Sequence, residues 1–133
     1  MDLNNNKEIE DLITEYVNLN PVSDETRKFY KNRLTQDCLI INAAGESQTV
    51  PQLLMPDDLT FDVIFQKLDS IEKIVISPDN NLAFISFNVI FKFKVKGAWS
   101  EKLTFNIYSG YVVKENNIWK IGWIQSSQKE LKS

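Results

Sequence analysis

A chain of 133 residues that is 43% hydrophobic and 25% charged has the make-up of one soluble globular domain with a single sizeable core. No apolar run approaches the roughly 20 residues that span a bilayer, and the opening MDLNNNKEIE lacks the basic-then-apolar order of a secretory leader. A net charge of −3 offers no footprint for phosphate backbones, so neither membrane nor nucleic acid is expected as a partner. The chain has no histidine, which removes triads with an imidazole base, histidine metal sites and the commonest acid-base group near neutral pH. Cys38 is the only cysteine, so an intrachain disulfide and a cysteine metal cluster are excluded, and a reducing cytoplasm is the expected setting.

In chain order, Asn5 followed three residues later by Glu8 resembles a capping box. Ile9, Leu12, Ile13, Tyr16 and Val17 then recur at helical spacing, and Pro21 ends the segment. Ser23 with Asp24 and Glu25 restarts a helix, because a hydroxyl cap and acidic first-turn groups satisfy and complement the exposed amides. Its inner stripe is Thr26, Phe29, Tyr30, Arg33 and Leu34. Asp37 to Ala43 reads as a first strand with Gly45 as the turn beyond. Between Pro56 and Leu68 the spacing of Phe61, Ile64, Phe65 and Leu68 predicts a third helix starting near Asp57 or Thr60, closing the open end of a sheet.

From Ile71 onward the chain predicts a meander of four antiparallel strands: Ile71 to Ser77, Leu82 to Val95, Trp99 to Lys114 and Ile118 to Ser126. The second is the clearest, since Ala83, Ile85, Phe87, Val89, Phe91, Phe93 and Val95 alternate with Ser86, Asn88, Lys92 and Lys94. Matching apolar faces pairs Phe93 with Leu103 and Tyr111 with Ile121. On that register the odd-numbered side chains of all three last strands face one helix-covered interior. Ser109, Tyr111 and Gln125 are then the polar atoms of the dry face, and Asn88, Asn106, Tyr108, Lys92, Lys120 and Ile124 lie opposite.

Helix one with ITEYVNLN, the first strand with its run-up RLTQDCLIINAAG and the last hairpin VVKENNIWKIGWIQSS resemble the nuclear transport factor 2-like superfamily over nearly the whole chain. The resemblance implies an α+β fold, a curved mixed or antiparallel sheet wrapped by N-terminal helices into a cone. It also implies a pocket at the wide end and a homodimer through the outer sheet face. In the ketosteroid isomerase branch a helix-one tyrosine and a sheet aspartate hold an oxyanion, while an aspartate at the end of the first strand moves the proton. Those roles fall here on Tyr16, near Ser109 and on Asn42. An amide has no basic lone pair at neutral pH, which argues against isomerase chemistry.

The expected pocket lining is Tyr16, Tyr30, Asn42, Phe87, Ser109, Tyr111, Trp123 and Gln125, holding a small, mostly apolar molecule with no cofactor and no metal. Each residue has a plainer reading beside this one. Tyr16 is either a pocket donor or core with its hydroxyl at the rim. Ser109 and Gln125 are either ligand groups or polar atoms satisfied within the core. Trp123 and Trp119 either stack on a ligand or fill a curved core. Asp37 is a carboxylate base for a SnoaL-like or dehydratase-type enzyme, or a solvated strand end. Asp57, Asp58 and Asp62 fit a helix start better than a metal site. The third reading is a protein-association module with the cone filled.

Overall fold

The computed structural model describes residues 3–19, 23–54 and 61–131. In order the elements are α1 (Leu3–Val17), α2 (Asp24–Arg33), β1 (Leu34–Ile41), β2 (Ser47–Thr49), α3 (Val50–Leu54), β3 (Phe61–Ile76), β4 (Leu82–Val95), β5 (Glu101–Glu115) and β6 (Ile118–Glu130). The strands form one six-stranded open sheet in the order β2-β1-β6-β5-β4-β3. All neighbours are antiparallel except β1 and β6, which run parallel. The α+β architecture, with N-terminal helices against one face of a mixed sheet, is the expected one.

The helices follow their sequence signals with one correction. Ile9, Leu12, Ile13 and Val17 are buried against the sheet, as the stripe demands. Asn5, however, lies inside α1 and is buried rather than capping it. Its Oδ1 accepts from Trp119 Nε1 and from Lys114 Nζ, both at 3.1 Å, so it ties the first helix to the last hairpin. The second helix begins as expected, with Ser23 Oγ accepting from Thr26 N at 3.2 Å. The first strand starts three residues earlier than predicted, at Leu34, and ends at Ile41. Pro21, Asp57 and Asp58 lie outside the described residues.

The expected third helix over Phe61 to Leu68 is instead the first half of β3, and the only helix near it among the described residues is the short α3. The reason lies in three irregularities of the β3–β4 pairing, between Val63 and Phe65, Leu68 and Ser70, and Ile71 and Lys73. Each bulge inserts one residue and breaks the period of two. The residues of β3 opposite the inward side chains of β4 are Val63, Gln66, Leu68, Ile71, Ile74 and Ile76. Of the residues that suggested a helical stripe, only Leu68 is among these, while Ile64 and Phe65 are 45% and 41% exposed.

Two further corrections concern register. β4 meets β5 with Lys92 opposite Leu103 and Phe93 opposite Lys102, one residue from the expected pairing. Even-numbered residues of β5 therefore join odd-numbered residues of β4 on the helix side, and Thr104, Asn106, Gly110 and Val112 are buried there. Along β6 the pairing shifts between Tyr111 and Val112, at Gly122. Trp119 and Ile121 face inward before the shift and Ile124 after it, all three buried. The two-residue turn Asn116–Asn117, with φ of 52° and 65°, has the left-handed backbone that a tight hairpin needs.

The inner face is consequently graded. Ile76, Ala83, Val112 and Ile121 form one cross-strand row, and Ile74, Ile85, Gly110 and Ile124 the next. Then come Ile71, Phe87, Tyr108 and Ser126, followed by Leu68, Val89, Asn106 and Gln128. The first two rows make the core with α1. The later rows turn polar, and that is where the interior opens.

Candidate functional site

The open end holds a cavity of about 360 Å³, lined by Tyr30 of α2, Asn42 to Ala44 after β1, and Val63 and Gln66 of β3. Phe91 and Phe93 of β4, Asn106 and Tyr108 of β5, and Ser126 and Gln128 of β6 complete it. Its size falls within the range of roughly 300 to 1,000 Å³ usual for small-molecule sites. A narrower recess of about 80 Å³ lies against Tyr16, Val17, Leu19 and Val89 and shares Tyr30, Gln66 and Tyr108 with the larger space. Phe91 and Phe93 stack at 4.9 Å on one wall.

Three tyrosines meet at the inner limit. Tyr16 lies 6.4 Å from Tyr108 and 6.3 Å from Phe29, ring to ring, and Tyr108 stacks on Phe87 at 5.0 Å. Burial raises the Tyr16 hydroxyl well above its ordinary range, and the nearby Tyr108, Tyr30 and Cys38 push in the same direction. Burial also raises Tyr30 and Tyr108, although a hydrogen bond from the Asn106 side chain opposes this at Tyr108. All three are neutral near pH 7 and act as hydrogen-bonding groups, not as bases.

Of the eight residues expected to line the pocket, the structure brings three to this space. Tyr30 and Asn42 border the cavity and Tyr16 borders the recess. The Asn42 amide already holds the β1–β2 turn, for its Oδ1 accepts from Ala44 N and Glu46 N, both at 3.0 Å. Phe87 is fully buried beneath Tyr108 and reaches neither space. Ser109, Tyr111, Trp123 and Gln125 belong to the opposite face, because the register of β5 and the shift at Gly122 turn them outward. Ser109 and Gln125 are exposed, and Tyr111 packs on Trp123 at 6.4 Å.

Sequence reasoning missed the polar lining residues Gln66, Asn106, Tyr108, Ser126 and Gln128, and the phenylalanine wall of Phe91 and Phe93. Two signals were present. Glycine inside the strand IWKIGWI marks a bulge, which reverses the faces beyond it. Thr104, Asn106 and Tyr108 alternate as a polar series, the pattern of a strand facing a hollow instead of a packed core. Asp37, the proposed carboxylate base, borders neither space. It is exposed on β1 and accepts from Thr35 Oγ1 at 2.9 Å. No group of three or more Cys, Asp or Glu side chains among the described residues is placed to hold a metal ion. No helix among them is long and apolar enough to cross a membrane.

An open mixed sheet, helices over one face and a hollow at the wide end define the nuclear transport factor 2-like class of α+β proteins. Solved structures agree. A nuclear transport factor 2-like protein of unknown function from Prochlorococcus sp. NATL2A superposes with a TM-score of 0.77 at 18% identity, over 99% of this chain and 97% of that one. A nuclear transport factor 2-like superfamily protein from Salmonella enterica serovar Typhimurium gives 0.76 at 18% identity, over 98% and 94%. A hexachlorocyclohexane dehydrochlorinase (LinA) of type 2 gives 0.74 at 10% identity, over 98% and 91%. At these identities the likeness is one of fold. No curated protein matches the chain in sequence. The chain belongs to the family described as protein of unknown function (DUF3804), whose profile matches residues 4–132.

Proposed function

We propose that this protein binds a small, uncharged, mostly apolar molecule in the cavity between α2 and the polar rows of the sheet, without transforming it. The observation that carries this reading is the lining itself: stacked phenylalanines, with Asn106, Tyr108, Gln66 and Gln128 beside them on the same sheet face. An apolar body with a few fixed polar contacts is what such a wall accommodates. Dehydrochlorinase or dehydratase chemistry is the other reading, drawn from structural neighbours of the same fold. Against it, the titratable groups among the described lining residues are Tyr30 and Tyr108, whose burial makes them weak proton acceptors at neutral pH.

The expected outcome of native mass spectrometry is a small-molecule adduct on the purified wild-type protein, absent from Ser126→Trp, which fills the cavity from β6. Equal adducts on both proteins, or none on either, would remove this reading. Turnover of the adduct by the wild type would favour the enzyme. The single, buried thiol of Cys38 is in keeping with a cytoplasmic setting.

We also infer a homodimer through the outer face. Val75, Phe84, Tyr111 and Trp123 pair in sequence across β3, β4, β5 and β6, giving one continuous apolar row. Phe84 is 59% exposed and Val75 50%. A row of this width on a sheet face favours cover by a second copy of the same surface.

A further inference from the structure

We propose that the cavity selects a ligand carrying an N–H or O–H donor, which it receives on the side-chain oxygen of Asn106, and that charged ligands of either sign are rejected. This rests on the reading of the cavity as a ligand site. Among the described residues, Asn106 Oδ1 is the one buried side-chain polar atom without a hydrogen-bond partner. The residue is 8% exposed and borders the cavity.

The neighbours explain why the oxygen is left over. Its cross-strand neighbours on the same face are Val89, which has no polar side-chain atom, and Gln128, whose exposed side chain makes no hydrogen bond to it. The Thr104 hydroxyl, two residues back on the same face, donates to Phe91 O at 3.4 Å, and the Ser126 hydroxyl donates to Ile41 O at 3.5 Å. No donor in the protein is bonded to Oδ1, and a buried acceptor left in that state costs on the order of 1 to 3 kcal/mol. A donor arriving with a ligand recovers that free energy, whereas an ether or carboxylate oxygen would face the carbonyl acceptor to acceptor. No Lys, Arg, Asp or Glu is among the described residues bordering the cavity, so an ion of either sign would be desolvated there without a counter-charge.

The three-way contrast of indole, N-methylindole and indole acetate tests this, since the ring is constant while the donor is blocked or a negative charge is added. Binding is read by amide and side-chain NMR shifts at Asn106, Tyr108 and Phe91. Indole is expected to bind at least about ten-fold tighter than N-methylindole, with indole acetate weaker still. In Asn106→Leu, which keeps the volume and loses the acceptor, that preference is expected to fall to near unity while N-methylindole affinity is kept or improved. The Asn106 side-chain amide resonances in the wild type provide a second readout that does not depend on the variant folding well. If N-methylindole or indole acetate binds as tightly as indole, the donor rule is overturned and the cavity stands as a ligand site. If none of the three shifts those resonances, the ligand-site reading itself falls and the donor rule with it.

Discussion

Two side chains show how polar atoms were accommodated inside the fold. Asn5 is buried because two donors from the last hairpin converge on its oxygen, so a polar residue on the apolar face of α1 becomes a link between the ends of the chain. Cys38 is buried with no such partner need, and its thiol is pushed up to about 12 by burial and then by the charge of Asp37. The native protein therefore holds protons at Cys38, Tyr16, Tyr30 and Tyr108 that the unfolded chain releases at lower pH. Stability is complete below the unfolded values and is lost as pH climbs from 9.0 toward about 12, by at most about 1.4 kcal/mol per pH unit for each group. Urea unfolding at several alkaline pH values should show this fall. Cys38→Ala should make the slope shallower even though its absolute stability is lower. An unchanged slope would mean that the thiol does not contribute.

Among the elements, β3 and β6 owe their behaviour to bulges. A strand that keeps strict alternation commits each residue to a face by parity; one extra residue reverses every assignment beyond it. In β3 the first irregularity brings Gln66 to the inner side, and Gln66 borders both the cavity and the recess. In β6 the shift at Gly122 replaces Trp123 by Ile124 as the inward residue. Glycine is required there because a Cβ at Gly122 would meet the ring of Tyr111, and one at Gly110 would meet the Trp123 carbonyl. Gly122→Ala is expected to cost on the order of 1 to 3 kcal/mol in chemical denaturation. Combining it with Tyr111→Ala should cost less than the sum, since the obstructing ring is gone. Strict additivity would show that the glycine is needed for backbone freedom alone.

At the level of the molecule, the two faces of one sheet have different occupants. The inner face grades from aliphatic rows under α1 to polar rows around the hollow. The outer face has the apolar row from Val75 to Trp123, joined by Ile107 at 46% exposure. If that row is covered by a second copy, Phe84→Lys places two like charges against each other near a shared axis. Sedimentation should then show a dimer for the wild type and a monomer for Phe84→Lys, with the NMR response to indole retained. A wild-type monomer at all accessible concentrations would refute the homodimer.

Sequence by itself determined the amphipathic stripe of α1, the cap of α2, the existence of the last three strands and the inward face of β4. Each depends on neighbours a few residues apart, and short-range periodicity and capping chemistry report directly on those. It left the lining of the hollow undetermined. Thr104, Asn106 and Tyr108 alternate with Leu103, Phe105 and Ile107, and on hydrophobicity alone the second set belongs inside. Only the tertiary structure decided otherwise, because the Lys96 to Ser100 turn and the bulge at Gly122 set the register of whole strands. A single-residue step there exchanges the two faces of β5 without changing anything in the local pattern.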